Sequence, residues 1–85
     1  MLLKGRVALV TGGAIRVGRA IAFALAERGA DVAITYRSSA AAAAETTDDL
    51  RRFGVRAVAV PCDQRHPKQI TAAVVEVEER LGPYW

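Results

Sequence analysis

The chain alternates between short continuous apolar runs and longer stretches in which apolar residues return every three or four positions. Val7-Ala8-Leu9-Val10 is the first run; it stops at Thr11-Gly12-Gly13, as a parallel strand buried on both faces does at a turn. From Val17 to Arg28 the period is helical: Val17, Ile21, Ala24 and Leu25 fall on one face, and Gly29 follows as a C-terminal cap. Val32-Ala33-Ile34-Thr35-Tyr36 is rich in branched and aromatic residues and predicts a second strand, ending at Arg37-Ser38-Ser39. Ser38 or Ser39 can cap a second helix from about Ala40 through Phe53, closed by Gly54. Val55 to Val60 predicts a third strand stopped by Pro61, with Cys62-Asp63-Gln64 as the loop beyond it. In the third helix Ile70, Ala73, Val74, Val77 and Leu81 share a face, and Gly82-Pro83 ends it before Tyr84-Trp85.

The predicted order is βαβαβα, which builds a parallel sheet through right-handed crossovers with helices on its faces. Eighty-five residues make one domain, residues 1–85, and a chain this short buries roughly 60–70% of its unfolded surface, so stability is expected to be marginal. Composition adds that 52% of residues are hydrophobic and 25% charged, a globular balance without a disordered signature. Cys62 is the single cysteine, which excludes an intramolecular disulfide, a zinc cage and a C-x-x-C pair, and favours a reducing, cytoplasmic home. The apolar run after Met1 is too short to span a membrane and lacks a signal-peptide cleavage region. The net charge of +3 points to an anionic ligand. Because the arginines are scattered and aromatics are few, nucleic acid is not the expected one.

The chemistry lies between the first strand and the first helix. Thr11-Gly12-Gly13-Ala14-Ile15-Arg16-Val17-Gly18 is a glycine-rich turn opening a helix, where backbone N–H groups and the positive end of the helix dipole can face a pyrophosphate. Gly12 permits the tight turn, and Gly18 lets the helix approach the sheet or a ligand approach the helix. A glycine turn alone is weak evidence; its place after a strand, before a helix and inside a βαβ unit is the context the motif requires.

Here the sequence resembles the short-chain dehydrogenase/reductase family, whose loop Thr-Gly-x-x-x-Gly/Ala-x-Gly is matched by Thr11, Gly12 and Gly18 over a resemblance running from Lys4 to about Leu81. Arg16 departs from that pattern, in a way similar to pteridine-reductase-like members, and 3-oxoacyl-ACP-reductase-like members are equally close in type. The resemblance implies a Rossmann-type α/β fold with strand order 3-2-1, a truncated doubly wound sheet, and a parent activity of NADPH-dependent reduction of a carbonyl or pterin-like substrate. It implies cofactor contacts from Gly12, Arg16, Val17, Gly18, Tyr36, Arg37, Ser38, Cys62 and Asp63. Asp63 would bond the adenine amino group with Cys62 lining the adenine edge; the other reading of Asp63 is a turn aspartate after Pro61.

At the end of the second strand NAD-preferring Rossmann proteins place an acid for the ribose 2′-hydroxyl. Tyr36-Arg37-Ser38-Ser39 offers a guanidinium and hydroxyls instead, which suit a 2′-phosphate and predict NADP(H). Arg37 could otherwise be a solvated loop residue. A cation at Arg16, in the first helical turn, is disfavoured by the helix dipole unless an anion sits beside it.

The family's catalytic Tyr-x-x-x-Lys, its serine and its Asn-Asn-Ala-Gly segment have no match: Tyr36 is followed four residues later by Ala40, and Tyr84 by Trp85 alone. The expectation is therefore a cofactor-binding portion, inactive by itself, with no catalytic or metal site. Without a fourth strand, Val7 to Val10 becomes an exposed apolar edge, which predicts self-association or a partner chain. A non-catalytic interaction or assembly module with vestigial nucleotide binding is the alternative.

Overall fold

The computed structural model describes residues 3–12 and 16–82. Gly13, Ala14 and Ile15 of the glycine-rich loop, and Pro83, Tyr84 and Trp85 after the last helix, lie outside the described residues. The elements are β1 (Val7–Val10), α1 (Arg16–Glu27), β2 (Asp31–Tyr36), α2 (Ala40–Arg51), β3 (Ala57–Pro61) and α3 (Pro67–Leu81). They form a three-stranded parallel sheet in the order β1-β2-β3, as the Rossmann-type reading requires.

Alternation along the strands splits the core into two layers. Val10, Val32, Ile34 and Ala57 face α1 and α2, where they meet Ala22, Ala26, Ala43 and Leu50. Val7, Ala33, Val58, Val60 and Cys62 face the other way, onto Ala73, Val77 and Leu81 of α3. The sheet is thus covered on both sides, which accounts for the near-continuous apolar runs in its strands. Gly29 (φ +97°) ends α1 in the left-handed region and sits 3.4 Å, measured from where a Cβ would stand, from the backbone N of Lys4, so a side chain there meets both strain and crowding. At the opposite end of the sheet from the strand C-termini, Arg56 joins β2 to β3. Its Nη2 lies 2.9 Å from Asp31 Oδ2 and also donates to the Leu81 carbonyl at 2.9 Å.

Several boundaries and faces differ from the pattern. α2 stops at Arg51, two residues short of Phe53. Ser39 holds its N-cap position without a side-chain cap bond, and the Ala43 N–H bonds the Ser39 carbonyl. β3 begins at Ala57 and includes Pro61, which pairs with Tyr36. Pro61 is tolerated because the ladder bond at this point runs from Cys62 N–H to the Tyr36 carbonyl (2.7 Å), so the missing donor is on the outer edge of the sheet.

The face of α1 differs as well. Ala22 and Ala26 are buried against the sheet, whereas Val17 is 73% and Ile21 48% exposed. Helical geometry explains the rotation. Arg19 and Phe23 lie on the side turned to α2: Arg19 bonds Asp49 at 2.7 Å, its guanidinium sits 4.1 Å over the Phe23 ring, and Phe23 meets Phe53 edge-on at 5.8 Å. At about 100° per residue, Val17 and Ile21 then point away from α2, while the half-buried Leu25 packs against the core layer. On α3 the same kind of shift leaves Ala73, Val77 and Leu81 buried and Ile70 40% exposed.

Truncating the central strand is therefore expected to cost far more than altering the exposed stripe. Ile34→Ala should lower unfolding free energy by about 2–5 kcal/mol, and Val17→Ser should change it by less than about 0.5 kcal/mol, both measured by urea denaturation.

Candidate functional site

In a parallel sheet every strand delivers its C-terminal end to the same side. The register Val10↔Ile34 and Tyr36↔Pro61 brings the turn after β1, the loop after β2 and the loop after β3 together there. They enclose a cleft of about 290 Å³ lined by Gly12, Thr35, Tyr36, Arg37, Cys62, Asp63, Gln64 and Arg65. The floor is apolar and fixed: Cys62 is buried in the α3 layer, and Tyr36 is half-buried against the α1–α2 layer. The rim is polar.

Five of the nine sequence-marked residues meet in this cleft: Gly12, Tyr36, Arg37, Cys62 and Asp63. Arg16, Val17 and Gly18 form the first turn of α1, with Arg16 and Val17 exposed and Gly18 half-buried; Ser38 is exposed just beyond Arg37. These four are not in its lining. Arg16 carries φ +55°, the one left-handed non-glycine among the described residues. For an L-residue that conformation costs on the order of 1 kcal/mol, a cost found most often where backbone strain serves a ligand site.

Gly12 also takes positive φ (+66°), and nothing lies within 4 Å of where its Cβ would be. Its amide does not point freely into the cleft. It donates to Thr35 Oγ1 at 3.1 Å, which fastens the turn after β1 to the end of β2. Thr35 is 1% exposed, and in the sequence it reads as one more β-branched strand residue. A hydroxyl in a buried strand must find a partner, and that requirement was the available signal.

Arg65 and Gln64 were also missed. Asp63 Oδ1 accepts the Arg65 backbone N–H (3.0 Å) and Nε (3.1 Å), and Oδ2 accepts Nη2 (2.9 Å). The Asp63 N–H donates to Gln69 Oε1 at 2.8 Å, tying the loop to the start of α3. Hydrogen bonds from the Arg65 guanidinium, then from its backbone amide, hold the Asp63 carboxyl well below the ordinary carboxylate range, and Asp63 in turn raises the pKa of Arg65. The short Asp-x-Arg spacing was the clue to this pair.

Among the described residues no carboxylate lies within ion-pair reach of Arg16 or Arg37. None of the described helices is long and apolar enough to cross a membrane, and among the described residues no group of three or more His, Cys, Asp or Glu gathers for a metal.

Three parallel strands, helices on both faces and a glycine turn opening onto a cleft at the strand C-termini define a Rossmann-type α/β unit. The chain belongs to the short-chain dehydrogenase family, whose model matches residues 6–85. A hydroxynaphthalene reductase of Aspergillus fumigatus is 42% identical over 80 residues, covering 94% of this chain and 29% of that protein. A short-chain dehydrogenase from Burkholderia cenocepacia, solved in complex with NADP, aligns with a TM-score of 0.95 at 43% identity, covering 99% of this chain and 34% of that one. A blue fluorescent protein from a metagenomic library, solved in complex with NADPH, gives 0.94 at 40% identity, covering 99% and 35%. The chain spans about three tenths of the length of the curated relatives it matches.

Two measurements check the geometry. Thr35→Val removes the acceptor for the Gly12 amide; it should lower stability by about 1 kcal/mol and speed hydrogen exchange at Gly12. The depressed Asp63 carboxyl contributes stability that is complete above the unfolded carboxylate value and is lost only as pH falls through the lower folded one. A carboxyl ¹³C titration should therefore place the Asp63 midpoint below the ordinary 3.8, and Arg65→Ala should return it toward that value.

Proposed function

We infer that this cleft binds NADP(H), in preference to NAD(H), as the cofactor-binding unit of a reductase. The carrying observation is the charge at the end of β2. Arg37 stands exposed at the cleft with no carboxylate partner among the described residues, and the carboxylate that does line the cleft, Asp63, is committed to Arg65. A 2′-phosphate arriving there meets a guanidinium fork and no free acid.

The residues fit the group. Gly12 leaves its side of the cleft open, Arg37 with the neighbouring Ser38 hydroxyl suits the 2′-phosphate, and Arg16 at the start of α1 suits the pyrophosphate. Tyr36, Cys62 and Asp63 form walls for the adenosine part, and Val17 and Gly18 continue the turn that follows the phosphates. When bound, the nicotinamide supplies hydride; this chain contributes cofactor binding and orientation. The relatives' reductase names and the solved complexes with NADP and NADPH support an NADP(H)-dependent reductase; a carbonyl compound is the substrate class proposed for the parent activity, with a pterin-like substrate, suggested by Arg16, as the alternative.

Titration by calorimetry should show NADP⁺ binding at least about tenfold tighter than NAD⁺, and Arg37→Ala should remove most of that preference, since charge-assisted bonds are worth about 1.5–3 kcal/mol. Equal affinity for the two cofactors, or an unchanged preference in R37A, would overturn the assignment.

A second surface supports association between copies. Among the described residues β1 pairs with β2 alone, and α1, which follows it in the chain, leaves Val17 and Ile21 exposed. The other edge is guarded: Arg51 Nη2 donates to the Ala57 carbonyl at 2.8 Å, and Pro61 offers no N–H. A second copy of this chain joining at β1 is the occupant these features fit. Sedimentation velocity should show concentration-dependent dimer that Ile21→Glu abolishes; a native monomer at every concentration would exclude it.

A further inference from the structure

Arg16 opens α1 and Arg19 completes its first turn, which holds no acid. Two cations at the positive end of a helix dipole are unfavourable, and so is a like-charge pair three residues apart. The missing anion comes from the neighbouring helix. Asp49 of α2 accepts Arg19 Nη2 on one oxygen at 2.7 Å, and Arg52 Nη1 stands 3.6 Å from the other.

This pair is built more firmly than an exposed one. Its side chains are 36% and 24% exposed, the Arg19 guanidinium lies 4.1 Å over the Phe23 ring, and Phe53, just beyond α2, meets that ring edge-on at 5.8 Å. Exposed pairs hold little in place, because two long side chains lose entropy to stay together. A half-buried guanidinium stacked on a ring has already lost most of that freedom.

What the pair fixes is the start of α1. α1 reaches the cleft side of the sheet through Arg16, Val17 and Gly18, and α2 follows Arg37 and Ser38. A tie from Arg19 to Asp49 therefore holds the helix that starts at one phosphate-facing segment against the helix that starts at the other. It acts within one turn of Arg16, whose left-handed φ of +55° persists only with support from its surroundings.

We propose that Asp49, acting through Arg19, is a positioning residue that holds the first turn of α1 at the pyrophosphate of a bound dinucleotide, an inference that rests on the assignment of the cleft to NADP(H). Charge and position make opposite predictions for its removal. By charge alone, deleting an anion near a polyphosphate tightens binding; losing the tie frees the first turn and weakens it.

The full chain is titrated with NADP⁺, NAD⁺ and adenosine 2′-monophosphate, which keeps the 2′-phosphate and lacks the pyrophosphate. Asp49→Asn should weaken NADP⁺ and NAD⁺ alike, by about fivefold, and leave adenosine 2′-monophosphate within about twofold of native. Asp49→Glu keeps the carboxylate and should recover most of the loss. Phe53→Leu loosens the same cluster without touching a charge and should move the affinities in the same direction, so the expectation stands even if D49N does not fold. Thermal melts show which variants are folded.

Two results would overturn the proposal. One is a folded D49N that binds NADP⁺ as tightly as native protein or more tightly, which leaves Asp49 a structural or purely electrostatic role. The other is a loss that extends to adenosine 2′-monophosphate or spares NAD⁺, which moves the effect from α1 to the loop before α2. Failure of the cofactor reading itself looks different: native protein then binds NADP⁺ no better than NAD⁺, or binds neither, and R37A changes nothing.

Discussion

The structure depends on parallel register at the C-terminal ends of three strands. Pairing Val10 with Ile34 and Tyr36 with Pro61 obliges the chain to leave the sheet three times on one side. Two bonds tighten that convergence, one closing the ladder and one outside it: Cys62 N–H to the Tyr36 carbonyl, and Gly12 N–H to Thr35 Oγ1. Each draws a loop toward the end of β2, the central strand. The cleft is therefore a consequence of topology first and of side chains second, which is why open parallel sheets place ligands at this end.

Charge then gives the cleft its character. Its acid and one of its bases neutralise each other in the Asp63–Arg65 pair, and the base that remains, Arg37, is at the loop where the cofactor's ribose is expected. The opposite end of the sheet is organised differently, with Arg51 and Arg56 bonded to carbonyls and to Asp48 and Asp31. Arginines are spread through the sequence, but those at the N-terminal end of β3 close structural gaps, while Arg37, without a carboxylate partner among the described residues, is at the cleft. Net charge alone does not distinguish these uses.

Most of the fold was legible because period carries it. Runs such as Val7–Val10 have no helical reading of sufficient length, and the Gly29, Gly54 and Gly82 punctuation all appears at positive φ. Pro61 does end β3, but as its last paired residue and not as the first residue outside it, because a sequence does not say which edge of a strand faces out. The α1 face was misread because apolar periodicity identifies a stripe without saying what covers it. Val17 and Ile21 form such a stripe, yet the sheet takes the alanines, whose small side chains allow close approach. In the cleft, glycines, Arg37 and Asp63 were legible as types in a motif. Thr35 and Arg65 were not, since each matters through a partner, Gly12 twenty-three residues away and Asp63 two residues away.

The central claim is that the dinucleotide sits across the C-terminal ends of β1, β2 and β3 and nowhere else on the described surface. Backbone amide shifts of the ¹⁵N-labelled chain, followed as NADP⁺ is added, test it most directly. Gly12, Arg37, Cys62 and Arg65 should move together along one saturation curve, while Asp31, Arg56 and Leu81 at the far end stay still. Shifts centred on Arg51, Arg56 and Arg80, or no saturable shifts at all, would contradict the account.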